Sequence, residues 1–388
     1  MPKQPGPFAK LKVIDFTHVL AGPACAYYLS LLGAEVIKVE SEGRGDAMRH
    51  RGGTDSARAA QGMSTAYMTQ GAGKRSVTLD LETAAGRAQM DELLTSADIF
   101  VENHRPKTLK RLDLDWERLN TLNPRLIHCA LTGYGRGGPL EDAPAYDVNI
   151  QAASGLMSLT GTPETGPLRT GAPIIDYSVA LAAAFAISTA LYHRENTGRG
   201  QFVDVSMLET AFTLMSSTIT DHLLTGHDPK PRGNAANSRS PSAGSFPCRK
   251  GILSLGVNEE RQFMALAKVL DRLDWLSDPR FSSPEKRLEH AGELSTDLTQ
   301  ALSTRTATEW EAIMLANDVP AACVVSLPEA LAKPQVIARR YLKSAGSGVT
   351  AYPGLPFRLS EAPDVEPNGP GEKLGQSTES CLPKVAKL

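Results

Sequence analysis

Residues 11–40 read LKVIDFTHVLAGPACAYYLSLLGAEVIKVE. The apolar runs Leu11–Asp15 and Glu35–Glu40 are typical of buried strands, and Ala24–Leu32 between them has a helical pattern that ends at Gly33. Strand, helix, glycine turn and strand at this spacing predict a right-handed βαβ unit with parallel strands. This stretch therefore sets the fold class.

The same alternation continues along the chain. It predicts further strands at Ser76–Leu81, Ile99–Glu102, Leu126–Leu131 and Gln201–Ser206, and helices at Thr83–Ser96, Trp116–Asn123, Asp147–Thr160 and Tyr177–Arg194. We therefore expect an α/β fold with a parallel sheet, in which ligands bind at the carboxyl edge of the strands.

The regular alternation of predicted strands and helices is interrupted in the second half of the sequence. Pro229–Ser245 is a long polar stretch, typical of a functional loop or a linker. A strand at Gly251–Val257 and helices within Glu285–Asn317 predict a smaller domain, and Cys323–Ser326 is expected to be a strand that returns to the first domain. The predicted parts are 1–220 (large domain, first part), 221–320 (small domain with its preceding loop) and 321–388 (return segment completing the large domain).

Composition excludes several classes of protein. The 388 residues carry a formal net charge of -2, which argues against a nucleic-acid partner. The longest apolar run, Val179–Leu191, is shorter than the ~20 residues that a membrane span needs, and no secretory signal is visible. The histidines and the five scattered cysteines have no metal-ligand spacing, so we expect a cytoplasmic protein with no metal and no membrane partner.

Two further patterns suggest ligand binding. Gly133–Gly138 formally satisfies G-x-G-x-x-G, but Pro139 and an acidic loop follow it instead of a helix. A mobile glycine loop near a ligand is therefore favoured over a dinucleotide site. The basic clusters Lys74-Arg75 and Asn103–Lys107 lie at predicted strand ends, where they either bind phosphates or form solvated surface.

Asp176 stands just before the apolar run that starts at Val179. A short polar side chain in this position is typical of a helix N-cap, whose free amides would keep the carboxylate ionised. On the residues alone, Asp176 is either a structural cap or a catalytic carboxylate.

Taken together, these segments resemble the class III CoA-transferases, the family that includes formyl-CoA transferase and carnitine CoA-transferase. The resemblance rests on ordered motifs along nearly the whole chain: LKVIDFTHV at 11–19 with AGP at 21–23, LGAEVIKVE at 32–40, KRS at 74–76, DIFVEN at 98–103, NPRLI at 123–127, PAYD at 144–147, YHRENTGRGQ at 192–201 and LGQST at 374–378.

The resemblance implies a Rossmann-like large domain with a parallel sheet, a smaller α+β domain, and an interlocked homodimer. It implies transfer of CoA between an acyl-CoA thioester and a free carboxylic acid, with Asp176 as the covalent nucleophile. Coenzyme A thioester would be a substrate, and no cofactor would be tightly bound. The residues that would line the CoA site are His18, Val19, Lys74, Arg75, Asn103, His104, Arg111 and Tyr146.

Two other functions are possible for this fold but fit the sequence less well. The related α-methylacyl-CoA racemases have a His before the Asp of the motif seen here as Tyr146-Asp147, and a phenol with a reference pKa of ~10 is a poor base at neutral pH. A non-catalytic CoA-binding protein would not need Asp176 with the basic clusters. Leu20 and the run at 233–238 depart from formyl-CoA transferase, which disfavours formyl-CoA and oxalate. The loop Arg232–Ser245 is expected to shield the acyl end of the site.

Overall fold

The computed structural model describes residues 6–345, 351–362 and 365–382. Its strands are β1 (Lys12–Phe16), β2 (Glu35–Ser41), β3 (Arg75–Leu79), β4 (Ile99–Glu102), β5 (Ile127–Thr132), β6 (Gln201–Ser206), β7 (Ala243–Pro247), β8 (Ile252–Gly256), β9 (Ala321–Cys323), β10 (Leu342–Ser344) and β11 (Ala351–Pro353).

The helices alternate with these strands through most of the chain. They are α1 (Ala21–Leu31), α2 (Ser56–Ala60), α3 (Thr65–Gly71), α4 (Ala84–Thr95), α5 (Pro106–Arg111), α6 (Trp116–Leu122), α7 (Asp147–Ala153), α8 (Leu156–Leu159), α9 (Ile174–Thr197), α10 (Met207–Leu214), α11 (Ser216–Thr225), α12 (Glu260–Val269), α13 (Pro284–Glu289), α14 (Ala291–Leu302), α15 (Ala307–Ala316), α16 (Leu327–Leu331), α17 (Pro334–Ala338) and α18 (Thr378–Cys381).

Six strands form one parallel sheet in the order β3-β2-β1-β4-β5-β6. Val13 at the centre of β1 pairs with Val36 of β2 on one side and with Ile99 of β4 on the other. This is the strand order of the doubly wound Rossmann fold, so the predicted α/β class and parallel sheet are confirmed. In this order the connections from β1 and β4 diverge, which opens a crevice at their carboxyl ends.

Helix α9 lies in the core of the large unit. Val179, Ala183 and Ile187 on its inner face are fully buried and belong to the same apolar cluster as strand residues such as Val13 and Cys129. Among the described residues α9 is the one helix that is long and apolar enough to cross a membrane by length and composition alone. Core helices of folded domains share that property, and this inner face packs against protein.

The structure changes the ends of two predicted helices. The helix predicted over 147–160 is divided into α7 and α8, because Gly155 between them has φ 86°, a left-handed conformation that favours glycine. The helix predicted over 177–194 begins earlier, at Ile174, and ends at Gly198, which has φ 75°. Asp176 is therefore inside the first turn of α9 rather than before it.

The chain divides into two compact units. One contains Met1–Met157, Arg169–Pro229 and Arg339–Leu388, and the other contains Ser158–Leu168 and Lys230–Ala338. The predicted boundaries fell at 220 and 320. Helix α11 adds one more helical segment to the large unit after 215, and α16 and α17 extend the smaller unit to Ala338.

The smaller unit has its own sheet and core. Strands β7, β8 and β9 form an antiparallel sheet, and a cluster that includes Phe263, Trp275 and Phe281 is buried beside it. The strand expected to return to the first domain is instead β9, which pairs with β8, so the return begins at Arg339. Because β7 begins at Ala243, the polar stretch before it ends at Ser242, and its proposed role as a shield stays a prediction.

Candidate active site

A groove lies at the carboxyl ends of β1 and β4, at the switch point of the large unit. One cavity of about 340 Å³ contains Asp176, and a second of about 610 Å³ lies against the ends of β2 and β3. His18 and His104 line both cavities, so the two adjoin at these side chains, and we refer to them together as the groove.

The groove brings most of the predicted site residues together. Those that line the cavity of Asp176 are His18, Val19, Asn103, His104 and Tyr146. They come from the loop after β1, the loop after β4 and the start of α7, three elements that are distant in sequence.

Asn103 joins the two loops that form the groove. Its side-chain oxygen accepts a hydrogen bond from the backbone amide of His18 at 2.9 Å, and its side-chain nitrogen donates to the carbonyl of His18 at 2.8 Å. Next to it, Val19 adopts φ 71°, and its amide donates to Asp46 Oδ1 at 3.2 Å. Each of these bonds fixes a backbone position in the wall of the groove. The role of Asn103 in the structure is therefore to hold the loop at His18.

The two histidines provide neutral rings in the groove. Their ring centroids are 5.0 Å apart, and His104 also stacks on Phe16 at 4.3 Å. Burial lowers the pKa of His104 to about 4, and burial also lowers the pKa of His18. Both imidazoles are therefore mainly uncharged at neutral pH and can contact a ligand by stacking or by neutral hydrogen bonds.

Asp176 does not cap its own helix. The N-cap of α9 is Pro173, and the free amide of Ile175 donates to Asp147 Oδ2 at 2.7 Å. The amide of Asp176 itself also donates to Asp147 Oδ2, at 3.3 Å. The expectation that the first-turn amides would hold the Asp176 carboxylate is therefore wrong, because a carboxylate from another helix accepts them.

The ionisation of Asp176 follows from this arrangement. Burial raises its pKa and the charge of the nearby Asp147 carboxylate adds to the rise, which together bring it to about 7. A carboxyl group with a pKa near neutrality is a stronger nucleophile when ionised than an ordinary aspartate, and at pH 7 a large fraction of it is ionised. The sequence predicted an ionised group stabilised by amides, whereas the structure has one that resists ionisation.

Lys74 does not reach the groove. It is 3% exposed, and its Nζ lies 2.6 Å from Asp15 Oδ2 and 2.8 Å from the carbonyl of Pro23. Although burial acts to raise it, the pKa of Asp15 is lowered by Lys74 and by Lys38. In the structure the ammonium of Lys74 thus compensates a buried carboxylate instead of facing a phosphate.

Arg75 and Arg111 lie in different places. Arg75 begins β3 and pairs with Glu35, the first residue of β2, so it lies at the amino edge of the sheet, opposite the groove. Arg111 ends α5 and lies 2.5 Å from Glu82 Oε1, and Glu82 lines the second cavity. Arg111 thus lines neither cavity but lies beside the second one through Glu82, whereas Arg75 lies at the opposite edge of the sheet.

Comparisons with known proteins identify the class of enzyme to which this groove belongs. The sequence model of CoA-transferase family III matches residues 8–378. The chain is 33% identical to the succinate–glutarate CoA-transferase of Agrobacterium fabrum, over 100% of this chain and 98% of that protein. It is 34% identical to the succinyl-CoA–D-citramalate CoA-transferase of Chloroflexus aurantiacus, over 100% of this chain and 96% of that one.

A solved structure supports the same assignment. The CaiB/BaiF family protein from Brucella suis is 30% identical and superimposes with a TM-score of 0.85 over 97% of this chain and 98% of that one. The chain belongs to CoA-transferase family III. It is accordingly a CoA-transferase, and CoA thioesters are its substrates.

The raised pKa of Asp176 predicts that this residue lowers the free energy of unfolding as the pH rises. In the unfolded chain this carboxyl ionises near 3.8, whereas in the folded protein it ionises near 7. The folded state therefore retains the proton between these values, so ionisation of Asp176 lowers stability progressively from pH 4 to pH 7 and by a constant amount above that. We expect Asp176→Asn to be more stable than wild type by about 1–3 kcal/mol at pH 8, since one pKa unit is worth about 1.4 kcal/mol and groove water offsets part of it.

Urea unfolding of both proteins at several pH values between 4 and 8 measures this difference. Asp228→Asn is the control, because the Asp228 side chain is 90% exposed. The gain in stability should disappear near pH 4 for Asp176→Asn, and the control should show no such trend. A gain of the same size at every pH would contradict the assignment of a raised pKa to Asp176.

Proposed function

We propose that this enzyme acts in the cytoplasm and moves CoA between an acyl-CoA and a free carboxylic acid through covalent adducts on Asp176. The observation that supports this most is the position of Asp176 in the groove formed at the switch point of the sheet. The five free cysteines fit a reducing compartment.

The reaction is a sequence of acyl exchanges. The ionised Asp176 carboxylate attacks the thioester carbonyl, the C–S bond breaks, and the products are an aspartyl acyl anhydride and CoA thiolate. The thiolate then attacks the aspartyl carbonyl of the anhydride, which releases the donor acid and leaves an aspartyl-CoA thioester. The acceptor carboxylate attacks the carbonyl of that thioester, the C–S bond breaks, and a second aspartyl anhydride and CoA thiolate form. The thiolate then attacks the acceptor carbonyl of this anhydride, which gives the new acyl-CoA and frees the Asp176 carboxylate. Covalent catalysis thus divides one exchange into easier steps.

The groove suggests how CoA is oriented. The second cavity has apolar walls from Phe16, Leu79 and Leu112 and carboxylates such as Glu82 at its rim. Such walls suit a flat base whose amino group donates to the rim, whereas phosphates need the cations of the adjoining loops. We therefore place the nucleotide end of CoA in the second cavity and the thioester at Asp176.

The names of two relatives point to the acids involved. Those proteins are named for succinate, glutarate and D-citramalate, which are all dicarboxylates. In this chain Arg105 lines the cavity of Asp176 and is exposed there, so it is available to a second carboxylate or to the diphosphate of CoA. We propose dicarboxylic acids as the substrate class.

A racemase function is disfavoured by the same cavity. The position before Asp147 carries Tyr146, whose side chain is 60% exposed at the start of α7. A phenol exchanges protons poorly at neutral pH, so the paired bases that proton abstraction needs are not supplied there.

Trapping of the covalent adduct tests the nucleophile. When the enzyme is incubated with succinyl-CoA and then with hydroxylamine, Asp176 should become an aspartyl hydroxamate, because both adducts have an activated aspartyl carbonyl. Peptide mass spectrometry locates the modification. Asp176→Asn should lose transfer activity by several orders of magnitude and give no hydroxamate. Modification of a different residue, or normal transfer by Asp176→Asn, would show that the proposed function is wrong.

The cations beside the groove should determine CoA affinity. We expect Arg105→Ala and Arg111→Ala each to weaken binding of CoA by about tenfold, because each removes a charged hydrogen bond to a phosphate. Calorimetric titration with CoA measures this. Arg75→Ala is the matched control, since Arg75 lies at the opposite edge of the sheet, and it should bind CoA normally. Equal affinity in all three variants would contradict this placement of CoA.

We also propose that the protein is a homodimer. Leu181, Phe185 and Tyr192 lie along one face of α9 with exposed fractions of 41%, 75% and 74%. Large apolar side chains repeated along one helix face are typical of a surface that a partner covers, and a second copy is the partner that the family implies. Leu223 and Leu224 of α11 are exposed as well.

The oligomeric state of Phe185→Asp tests this proposal. A charge in the centre of the covered face should raise the dimer dissociation constant by about 30-fold or more, as for a hot-spot residue. Analytical ultracentrifugation over a range of concentrations measures the change. Leu288→Asp is the control, because Leu288 is an exposed leucine in the smaller unit. A monomeric wild-type protein, or an unchanged dimer of Phe185→Asp, would refute it.

A further inference from the structure

Two carboxylates from different helices meet at the start of α9. Asp147 is the first residue of α7, and Asp176 is in the first turn of α9, 29 positions later. Asp147 is 8% exposed, and its Oδ2 accepts the amides of Ile175 and Asp176. A carboxylate close to the nucleophile is thus bound to the backbone of the same helical turn.

The second oxygen of Asp147 is also engaged. Gln151, which is fully buried one turn later in α7, donates from Nε2 to Asp147 Oδ1 at 2.5 Å. The other end of this amide, Oε1, accepts the backbone amide of Thr170 at 3.0 Å. Asp147 and Gln151 together therefore hold both the first turn of α9 and the loop that leads into it.

This arrangement leaves the Asp176 side chain free. An aspartate in the first turn of a helix commonly folds back onto free amides. Here those amides are already occupied, so the Asp176 carboxylate is not drawn back and can face the groove that it lines. Asp147 thus caps the helix, and Asp176 remains available for the reaction.

The charge of Asp147 has a second effect. It repels the ionised form of Asp176, but it does not repel the acyl anhydride or the CoA thioester, because an acylated carboxyl is uncharged. Acylation therefore removes a repulsion that the free enzyme contains. The other titratable or charged residues around the cavity of Asp176, on the adjoining loops and on α9, are His18, His104, Arg105, Glu141, Tyr146 and Tyr177.

We propose that Asp147 is a positioning residue that caps α9 in place of Asp176 and, through its charge, destabilises the ionised nucleophile relative to its acylated forms. The proposal rests on Asp176 being the nucleophile. Gln151 only positions these elements, because its amide holds the loop at Thr170 but carries no charge.

The pH dependence of kcat/KM distinguishes the charge effect of Asp147 from its capping of α9, because it reports the ionisation of the free enzyme. Asp147→Asn keeps the size of the side chain and removes the charge, so the midpoint of the rise in kcat/KM should move to lower pH by about one unit. With succinyl-CoA as the donor, the fraction of hydroxamate-trapped Asp176 at pH 8 should fall at the same time. Gln151→Leu retains the charge of Asp147 and should keep the wild-type midpoint even where its rate is lower.

Asp147→Ser is the second variant, because serine still accepts helix amides and has no charge. It should shift the midpoint as Asp147→Asn does. A lower rate at every pH with an unchanged midpoint in both variants would mean that Asp147 is only structural, and would overturn the proposal. If adduct mapping still identifies Asp176 in that case, the proposed function stands and this inference alone fails.

Discussion

The strand order of the large unit is the constraint on which the site depends. With β1 and β4 adjacent at the centre and their connections leaving in opposite directions, the carboxyl ends of these strands cannot be covered by a crossover helix. The loops that contain His18 and Asn103 therefore meet there, and reciprocal hydrogen bonds join them. The groove follows from topology, and the side chains only determine what binds in it.

Buried charge supports the loops beneath the groove. Lys38 donates to the carbonyl of Thr17 and pairs with Asp46, while Lys74 pairs with Asp15. Asp46 in turn accepts the amide of Val19, which lines the cavity of Asp176. A buried charge that loses its partner is costly, so these contacts constrain the loop after β1 more strongly than surface ion pairs would. Basic residues at the sheet can thus form part of its support instead of binding phosphate.

The sequence predicts the elements better than the roles of side chains. β4 and β6 have the predicted bounds, because an apolar run between polar ends is a local signal. The burial of Lys74 and the exposure of Arg75 cannot be predicted from the local sequence. Adjacent residues at the start of one strand point to opposite faces, one into the core and one to the surface. The buried partner of Lys74 is Asp15 on β1, two strands away, and the exposed partner of Arg75 is Glu35 on β2, so only the assembled sheet shows which cation is buried.

The capping of α9 is the clearest case of a contact that local patterns do not contain. A polar residue before an apolar run predicted a cap, and the helix does have a carboxylate on its first amides, but it belongs to Asp147. Pairing of these residues depends on how α7 packs against α9, a tertiary relation over 29 positions. The consequence is chemical as well as structural. A nucleophile that bound its own helix amides would be stabilised as an anion and so made less reactive, whereas one whose amides are taken by a second anion retains its reactivity and becomes more stable on acylation.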